Sequence, residues 1–425
     1  MKNLKLCGYT TIALILLTVG RSLAQDVAVA SAAKVLPDAA ILDVGETQAV
    51  PVEEAEGKLS FSGYFDTYYF ANLNNPSSRN SLGSSGISRG FDRYTGQFQL
   101  GMFLTRTSYA YKNTEVVGEI GFGPNVEYGS YGNDFRYKWG TTVANNTYSS
   151  IMIKQAYINY KPTEKLTITA GQFGTHIGYE YIDAPLNFHY SINNTFNAGI
   201  PFYHLGLKAA YAFNDKVSLM GGLVNGTDNI NDNNRGKSFI GQLMVIPTDG
   251  LTIYFNTIQG NEANVRANGQ DTTSYFGVLD LVATYQVNSK LSVSTWLMMG
   301  TLKGENQGGT YFAKAAHWGG ANLYLAYKIT DMFSIGTRLE YFDNTNGVRG
   351  LLTQGKGTDV KTYTLTGNFS LADGRLLLKP EFRFDDFKKF TSSSGEDNIQ
   401  QFLDSDGNFS KHTQATIGMA AIYRF

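Results

Sequence analysis

The sequence predicts an all-β protein, a transmembrane antiparallel β-barrel of about 16 strands (about 14–18) with short periplasmic turns and long external loops. Three observations support this fold class. Segments of about 10–15 residues alternate between apolar and polar side chains, as expected for strands that cross a bilayer at a tilt. Short turns and long loops alternate along the chain. Beyond the N-terminus no run of about 18 apolar residues occurs, yet 13% of the residues are aromatic and 46 are glycine.

The N-terminal part of the chain precedes the strand pattern. Lys2 and Lys5 lie before the apolar run TTIALILLTVG, and the small residues of SLA follow it. This order predicts a cleaved signal peptide over 1–24, and therefore export. Residues 25–57 show no periodicity and are interpreted as a flexible periplasmic leader, and 58–425 as the barrel.

Cysteine and charge exclude several classes of function. The one cysteine, Cys7, lies inside the predicted signal peptide, so the mature chain would have no disulfide, thiolate metal site or cysteine nucleophile. The formal net charge of −1 becomes −4 when the three basic residues of the signal peptide are removed. A chain without excess positive charge is not expected to bind nucleic acid.

Seven short polar turns each join two alternating strands. They lie at KNTE (112–115) and within 156–171, 210–222, 245–255, 284–296, 326–337 and 368–380. Long polar loops join the other strand ends, near 73–93, 124–149, 174–203, 225–236, 260–274, 303–313, 343–359 and 388–411. This asymmetry is typical of an outer-membrane barrel and argues against a propeller, whose blades have turns on both sides. Seven turns, with both termini on the periplasmic side, give about 16 strands.

Alternation assigns one face of each strand to lipid and the other to the lumen. In 333–342, Leu339 faces outward while its neighbours face inward. The predicted lumen-wall residues are Lys208, Arg338, Glu340, Lys379, Glu381, Arg383 and Asp385. Lys or Arg on the lipid face would cost about 2–4 kcal/mol at mid-depth. Charged residues that occupy only every second position of a strand therefore indicate a wet lumen. The alternative is the polar outer face of a soluble sandwich. We therefore expect a water-soluble thiol reagent to reach a cysteine at position 338 and not one at 339.

The alternation continues to the last residue of AAIYRF (420–425). Tyr423 and Phe425 share a parity with Met419, which predicts that this strand pairs with the first one, around 61–72, and ends at the membrane interface. Aromatic residues recur beside the short turns and predict a periplasmic girdle. They are Tyr160, Phe213, Tyr254, Tyr285, Tyr327, Phe333 and Phe369.

Recognisable catalytic motifs are absent from the sequence. No nucleophile elbow, phosphate loop or zinc-protease motif occurs, and the five histidines lack metal-ligand spacing, so no catalytic residue, metal ligand or cofactor is predicted. NGTDNINDNN (225–234) and DSDG (404–407) are rich in oxygen donors. Neither has the full calcium loop with its closing Glu, so solvated turns are favoured over calcium sites.

Two segments, 171–213 and 221–243, resemble the OmpL-like family of outer-membrane β-barrel porins that is common in Bacteroidota. The strand pattern extends the likeness over about 58–425. Residues that match the two family patterns are Glu180, Asn187, Ser191 and Pro201 in the first, and Asn225, Gly226, Asp232, Asn233 and Asn234 in the second. Tyr179 separates Gly178 from Glu180, a slight departure in spacing. The resemblance implies a porin fold in the outer membrane of a Gram-negative bacterium and says little about the solute.

The longest loop, 174–205, follows the fifth predicted strand and has about 30 residues, a length that is usually functional or disordered. It is rich in aromatic, Ile and Leu residues and has no Lys or Arg, so we expect it to fold onto the lumen. It would then resemble the third external loop of general porins and form the constriction. The expected groups are Glu180 and Asp183 as the negative side, His176 and His189 as pH-sensitive groups, and Tyr179, Tyr181 and Tyr190 as faces for stacking a sugar. The alternative is a lid across the outer mouth.

Three functions follow from this interpretation. The leading hypothesis is a passive porin for small hydrophilic solutes, ions and sugars. The alternatives are a lipase-type barrel enzyme and a non-conducting adhesin or docking barrel. The expected partners are outer-membrane lipid, the solutes, and the barrel-assembly machinery, because a terminal aromatic such as Phe425, with Tyr423, resembles the signal that this machinery reads. The sequence predicts no cofactor and does not define an oligomeric state.

Overall fold

A computed structural model describes residues 57–130, 151–232, 234–262, 274–306, 310–390 and 400–425. The predicted signal peptide and residues 25–56 of the predicted leader lie outside these ranges. Seventeen strands are formed by the described residues. They are β1 (Lys58–Asn72), β2 (Phe98–Tyr111), β3 (Thr114–Phe122), β4 (Ile151–Thr163), β5 (Leu166–Gly174), β6 (Tyr203–Asn214), β7 (Val217–Val224), β8 (Ser238–Thr248), β9 (Leu251–Gly260), β10 (Tyr275–Gln286), β11 (Leu291–Glu305), β12 (Tyr311–Lys328), β13 (Phe333–Asn344), β14 (Leu352–Thr353), β15 (Lys356–Leu371), β16 (Leu376–Phe387) and β17 (Thr413–Arg424).

Sixteen of these strands close into one antiparallel barrel. Each long strand pairs with its neighbours along the chain, and β1 pairs with β17 from Tyr64↔Arg424 to Asn72↔Thr416. The two-residue β14 pairs only with the start of β15, inside the connection between β13 and β15. The predicted fold class and the predicted number of strands are therefore confirmed.

Short turns join the strands on one side of the barrel, as the sequence predicts. The chain between β2 and β3, for example, consists of Lys112 and Asn113, and Lys112 has a φ of 51°. The opposite strand ends are joined by long connections, which include helix α1 (Pro124–Gly129) and, after β5, a 3₁₀ turn (Ala184–Leu186) and a π-helical turn (Thr195–Gly199). None of the described helices is long and apolar enough to span a membrane.

The two faces of the barrel wall follow the alternation of the sequence. On β11, Met299 is 51% exposed while its inward neighbour Met298 is 5% exposed. On β13, Leu339 is exposed, whereas Arg338 is fully buried. Outward positions thus form an apolar surface that suits lipid. One girdle assignment is wrong: Tyr254 pairs with Met244 and packs against the internal core, so it faces inward.

Candidate functional site

The segment between β5 and β6, residues 175–202, lies inside the barrel and is called here the inner loop. From Tyr190 to Phe202 every residue of the inner loop is buried. Asn193, Asn194 and Thr195 are all 0% exposed. Buried backbone and amide groups need hydrogen-bond partners, so the barrel wall must supply them.

Two wall carboxylates bind the backbone of the inner loop. Glu381 on β16 accepts hydrogen bonds from the Tyr190 N–H at 2.8 Å and the Ser191 N–H at 3.1 Å. Glu340 on β13 accepts from the Thr195 N–H at 2.7 Å and its hydroxyl at 2.9 Å. Each carboxylate therefore satisfies donors that no regular secondary structure pairs.

Wall cations bind the carbonyl groups of the same segment. Arg338 donates to the Ser191 carbonyl at 2.7 Å, and Arg383 donates to the Ile192 carbonyl at 2.6 Å. Lys379 donates to the carbonyl of Ala184 at 3.0 Å and to that of Asn187. Because these bonds are charge-assisted, they hold the loop more firmly than neutral bonds would.

An ion pair links the inner loop directly to the wall. Arg338 Nη1 lies 2.6 Å from Glu180 Oε1, and both side chains are almost completely buried. Burial raises the pKa of the Glu180 carboxyl, although the Arg338 guanidinium opposes this shift. A pair of this kind is expensive to break, because one charge would remain buried without a partner.

A second external segment enters the lumen between β1 and β2. Arg89, which is 2% exposed, pairs with Asp92 and also lies 3.3 Å from Asp385 on β16. Asp385 in turn accepts a hydrogen bond from Arg383 at 2.9 Å. The upper part of the wall is thus bound by two infolded loops.

Aromatic packing also holds the inner loop in place inside the barrel. Phe196 stacks on Phe202 at 5.2 Å between ring centroids, and both contact Phe91. Glycine allows the close approach, since a Cβ at Gly320 of β12 would lie 2.3 Å from Thr195 and one at Gly336 of β13 would lie 2.4 Å from Phe188.

The expectation of water at position 338 is wrong. The side chains of Arg338, Lys379, Arg383 and Asp385 are 0% exposed, and Glu340 and Glu381 are at most 5% exposed. They point inward as predicted, but they bind the inner loop instead of lining a wet surface. Parity identifies the face of a strand and cannot reveal what packs against that face.

The predicted tyrosines of the inner loop are mostly occupied. Tyr190 is 4% exposed and donates to Asp66 at 2.6 Å, and Tyr179 packs on Tyr324 with 4.3 Å between ring centroids. Tyr181 is 37% exposed. The expectation that all three offer free stacking faces is therefore wrong, and only Tyr181 presents an exposed ring.

The predicted pH-sensitive histidines are held neutral. The His176 Nε2 lies 3.0 Å from the Thr257 carbonyl, and burial lowers the pKa of His176 to about 3. The His189 Nδ1 lies 2.7 Å from the Thr366 hydroxyl, and burial together with the charge of Arg338 lowers its pKa well below the usual value. Neither imidazole therefore titrates within the inner loop near neutral pH, contrary to the expectation.

Comparison with known proteins identifies the family. The model of the family described as "Putative beta-barrel porin-2, OmpL-like" matches residues 58–425. The chain belongs to this family of outer-membrane porins. A comparison with curated proteins found no match.

Solved structures of outer-membrane proteins share the fold of this porin at low sequence identity. The outer membrane channel DcaP of Acinetobacter baumannii is 10% identical, with a TM-score of 0.55 over 88% of this chain and 98% of that one. The anion-selective porin from Comamonas acidovorans is 10% identical, with a TM-score of 0.53 over 87% and 100%. A loop-deletion mutant of OmpT, an outer membrane protein of Vibrio cholerae, is 11% identical, with a TM-score of 0.54 over 87% and 100%. At such identities the likeness concerns the fold alone.

The porin has a second kind of wall on β2–β6, where several inward basic side chains stay partly exposed. Arg106 is 27% exposed and lies 2.7 Å from Glu119, which is also 3.1 Å from Lys154. Lys154 reaches Asp183 of the inner loop at 2.6 Å and is 12% exposed. Of the predicted negative side, Asp183 therefore faces this wall and Glu180 does not. Sequence reasoning missed Arg106, Glu119 and Lys154. The alternation of inward and outward residues along their strands could have identified them.

Lys208, the remaining predicted wall residue, differs from the buried cations. Its ammonium lies 4.3 Å from the centre of the Phe173 ring, and its side chain is partly exposed. Among the described residues no acidic side chain pairs with it. The porin thus retains a cation on β6 that, within the described parts of the chain, binds neither the inner loop nor a carboxylate.

The oxygen-rich loops use carboxylate oxygens to accept hydrogen bonds from the protein itself. Asp228 accepts from the N–H groups of Phe202 at 2.6 Å and Tyr203 at 3.2 Å, and Asp404 accepts from the Ser410 hydroxyl at 2.6 Å. Asn233, part of the family pattern, lies outside the described residues. No cluster of His, Cys, Asp and Glu suited to a metal ion occurs in the described parts of the chain.

The end of the last strand lies at the seam of the barrel. Phe425 exchanges backbone hydrogen bonds with Gly63 at 2.9 and 3.0 Å. Its ring lies 6.0 Å from that of Phe61 and 5.8 Å from that of Phe103. Tyr423 is 46% exposed on the outer surface. Both predicted assembly residues are therefore placed where the barrel closes.

Proposed function

We propose that this porin is a passive channel for small hydrophilic solutes, with the inner loop as its constriction and the inward face of β2–β6 as the wall of its water path. The single observation that carries the proposal is the difference in exposure between the two walls. The inward charges of β13 and β16 are buried beneath the loop, whereas Arg106 and Lys154 remain partly exposed. A hydrophilic solute requires such a polar, wetted surface.

The enzyme hypothesis has less support from the site. His176, His189 and His204 bind a backbone carbonyl or a threonine hydroxyl. A lipase-type mechanism would instead require a histidine that activates a serine. We therefore propose transport rather than catalysis, in an outer membrane reached through the predicted signal peptide.

Deletion of residues 179–194 tests the constriction. We expect single-channel conductance to rise several-fold and discrimination by solute size to weaken, because the segment that covers β12–β16 would be lost. A matched control is deletion of residues 405–407, an exposed external turn, which should leave conductance unchanged. Unchanged conductance of the inner-loop variant, with intact assembly, would instead favour a lid at the outer mouth.

We also propose that Phe425, with Tyr423, acts in assembly by the outer-membrane insertion machinery. Phe425→Ser should lower the yield of folded barrel, since the ring packs between Phe61 and Phe103 at the seam. Heat-modifiable gel migration measures this yield, and Phe409→Ser, in an external loop, serves as the control. A normal yield for Phe425→Ser would contradict the proposed role.

A further inference from the structure

A row of four polar side chains crosses adjacent strands of the β2–β6 wall. Glu115 on β3 pairs in register with Asn159 on β4, Asn159 pairs with Thr169 on β5, and Thr169 pairs with Lys208 on β6. Outward neighbours of the row, such as Leu207, are exposed on the outer surface, so the row itself faces the lumen. We call Glu115, Asn159, Thr169 and Lys208 the polar row.

Hydrogen bonds within the polar row run in one direction. The Thr169 hydroxyl donates to Asn159 Oδ1 at 2.8 Å, and Asn159 Nδ2 donates to Glu115 Oε2 at 2.9 Å. The donors therefore point toward Glu115, which stabilises negative charge at that end of the row. Chains of hydrogen bonds with a common direction polarise one another.

The two ends of the polar row carry opposite charges, and no described side chain forms an ion pair with either end. Among the described residues, Glu115 has no basic side chain at ion-pair distance and Lys208 has no acidic one. Both are partly exposed. Their backbone positions lie three strand spacings apart, or about 14 Å, and the described residues show no ion pair between the two side chains.

We propose that the polar row is a binding subsite for zwitterionic solutes of short-peptide length, with the ammonium at Glu115 and the carboxylate at Lys208. This inference rests on the proposed channel function and specifies its solute class. An extended tripeptide is about 10 Å long, so about 4 Å of the separation between the two strands remains to be bridged by the side chains of Glu115 and Lys208. A single ion or a neutral sugar engages at most one end of the row.

Single-channel recording with triglycine tests the inference. Triglycine should interrupt the current in a concentration-dependent manner, whereas N-acetyltriglycine, which lacks the ammonium, should bind at least about tenfold more weakly, as loss of one charged contact implies. Glu115→Gln and Lys208→Gln should each weaken triglycine binding by a similar factor. Matched controls are Glu164→Gln and Lys216→Gln, which remove the same charges from exposed periplasmic turns and should leave binding unchanged.

Calorimetric titration of the folded, detergent-solubilised barrel with triglycine measures the same site without conduction. Binding that is lost in Glu115→Gln and Lys208→Gln supports the subsite even if no current is observed, in which case the channel proposal alone fails. Equal affinity for triglycine and N-acetyltriglycine, or variants that bind like the wild type, would overturn the inference while leaving a conducting porin intact. Heat-modifiable migration of each variant verifies that the barrel is folded.

Discussion

The inward faces of β12–β16, here the covered wall, and those of β2–β6, here the open wall, share one strand pattern and differ in what their charges contact. On the covered wall, Arg338 and Glu381 bind the backbone of the inner loop and are buried. On the open wall, Arg106 and Lys154 pair with other side chains and keep partial exposure. Inward charge in a barrel can therefore hold a loop, or it can pair across neighbouring strands and remain partly exposed in the lumen. The packed loop decides between these roles.

The largest difference between the walls should appear when one arginine is removed from each. Arg338→Met leaves Glu180 buried without its cation, and breaking a buried pair costs about 3–5 kcal/mol. The inner loop should then detach from the barrel wall and become sensitive to an added protease. Arg106→Met is the matched control and should cost less, because Glu119 keeps Lys154 at 3.1 Å and a hydrogen bond from Gln155 at 2.7 Å. Limited proteolysis and the temperature of the heat-modifiable shift measure both, and equal losses would remove the distinction between the walls.

Chemical accessibility should separate the walls next. Asn159→Cys on the open wall should react with a small water-soluble thiol reagent, since Asn159 is partly exposed. Thr364→Cys on the covered wall should not, because Thr364 is 1% exposed beneath the loop. Leu339→Cys, on the lipid face, is a second unreactive control. Fast labelling at position 364 in the folded barrel would show that the loop does not cover this wall.

The smallest expected effect is that His176 weakens the binding of the inner loop to the barrel wall in acid. The pKa of His176 is lowered to about 3 when the loop is seated and would return to about 6.5 when the loop is released and hydrated. The seated form therefore binds fewer protons between these values, so its stability falls as pH decreases below about 6.5. Between pH 7 and pH 4, the protease sensitivity of the inner loop should therefore increase more in the wild type than in His176→Gln.

The comparison with His176→Gln is needed because Asp228 and Glu180, whose pKa values are raised by burial, act in the opposite sense. Burial raises the pKa of Asp228 to about 7, so this carboxyl favours the seated loop increasingly as pH falls toward its unperturbed value. The difference between wild type and His176→Gln isolates the imidazole. An identical pH profile for the two proteins would show that His176 does not contribute.

The sequence was sufficient for the wall of the barrel because a strand has a period of two residues. Alternation places Leu339 outside and Arg338 inside, and turn chemistry at Lys112 and Asn113 ends the strands. The apolar composition of the inner loop also indicates correctly that it packs inside. These are properties of neighbouring residues, which a single sequence contains.

The partners across the lumen could not be predicted. A period of two gives the face of Glu381 but not its distance from Tyr190, which is 191 positions away in the chain. For the same reason the burial of Arg338 and the neutrality of His189 were not foreseen. The Arg106–Glu119 pair joins registered residues of the hairpin β2–β3. Because oppositely charged residues at registered positions of a hairpin interact, this pair could have been predicted from the sequence.

The seat of the inner loop also has a consequence for the order of assembly. The loop follows β5, but Arg338, Glu340, Glu381 and Arg383, which bind it, belong to β13 and β16. A growing barrel that contains only its first ten strands has the loop without the groups that satisfy its backbone. Contacts between such distant parts of a chain form late, because the loop-closure entropy must be overcome first. Seating of the inner loop should therefore coincide with the final closure of β17 onto β1, so that the lumen takes its final form only when the wall is complete.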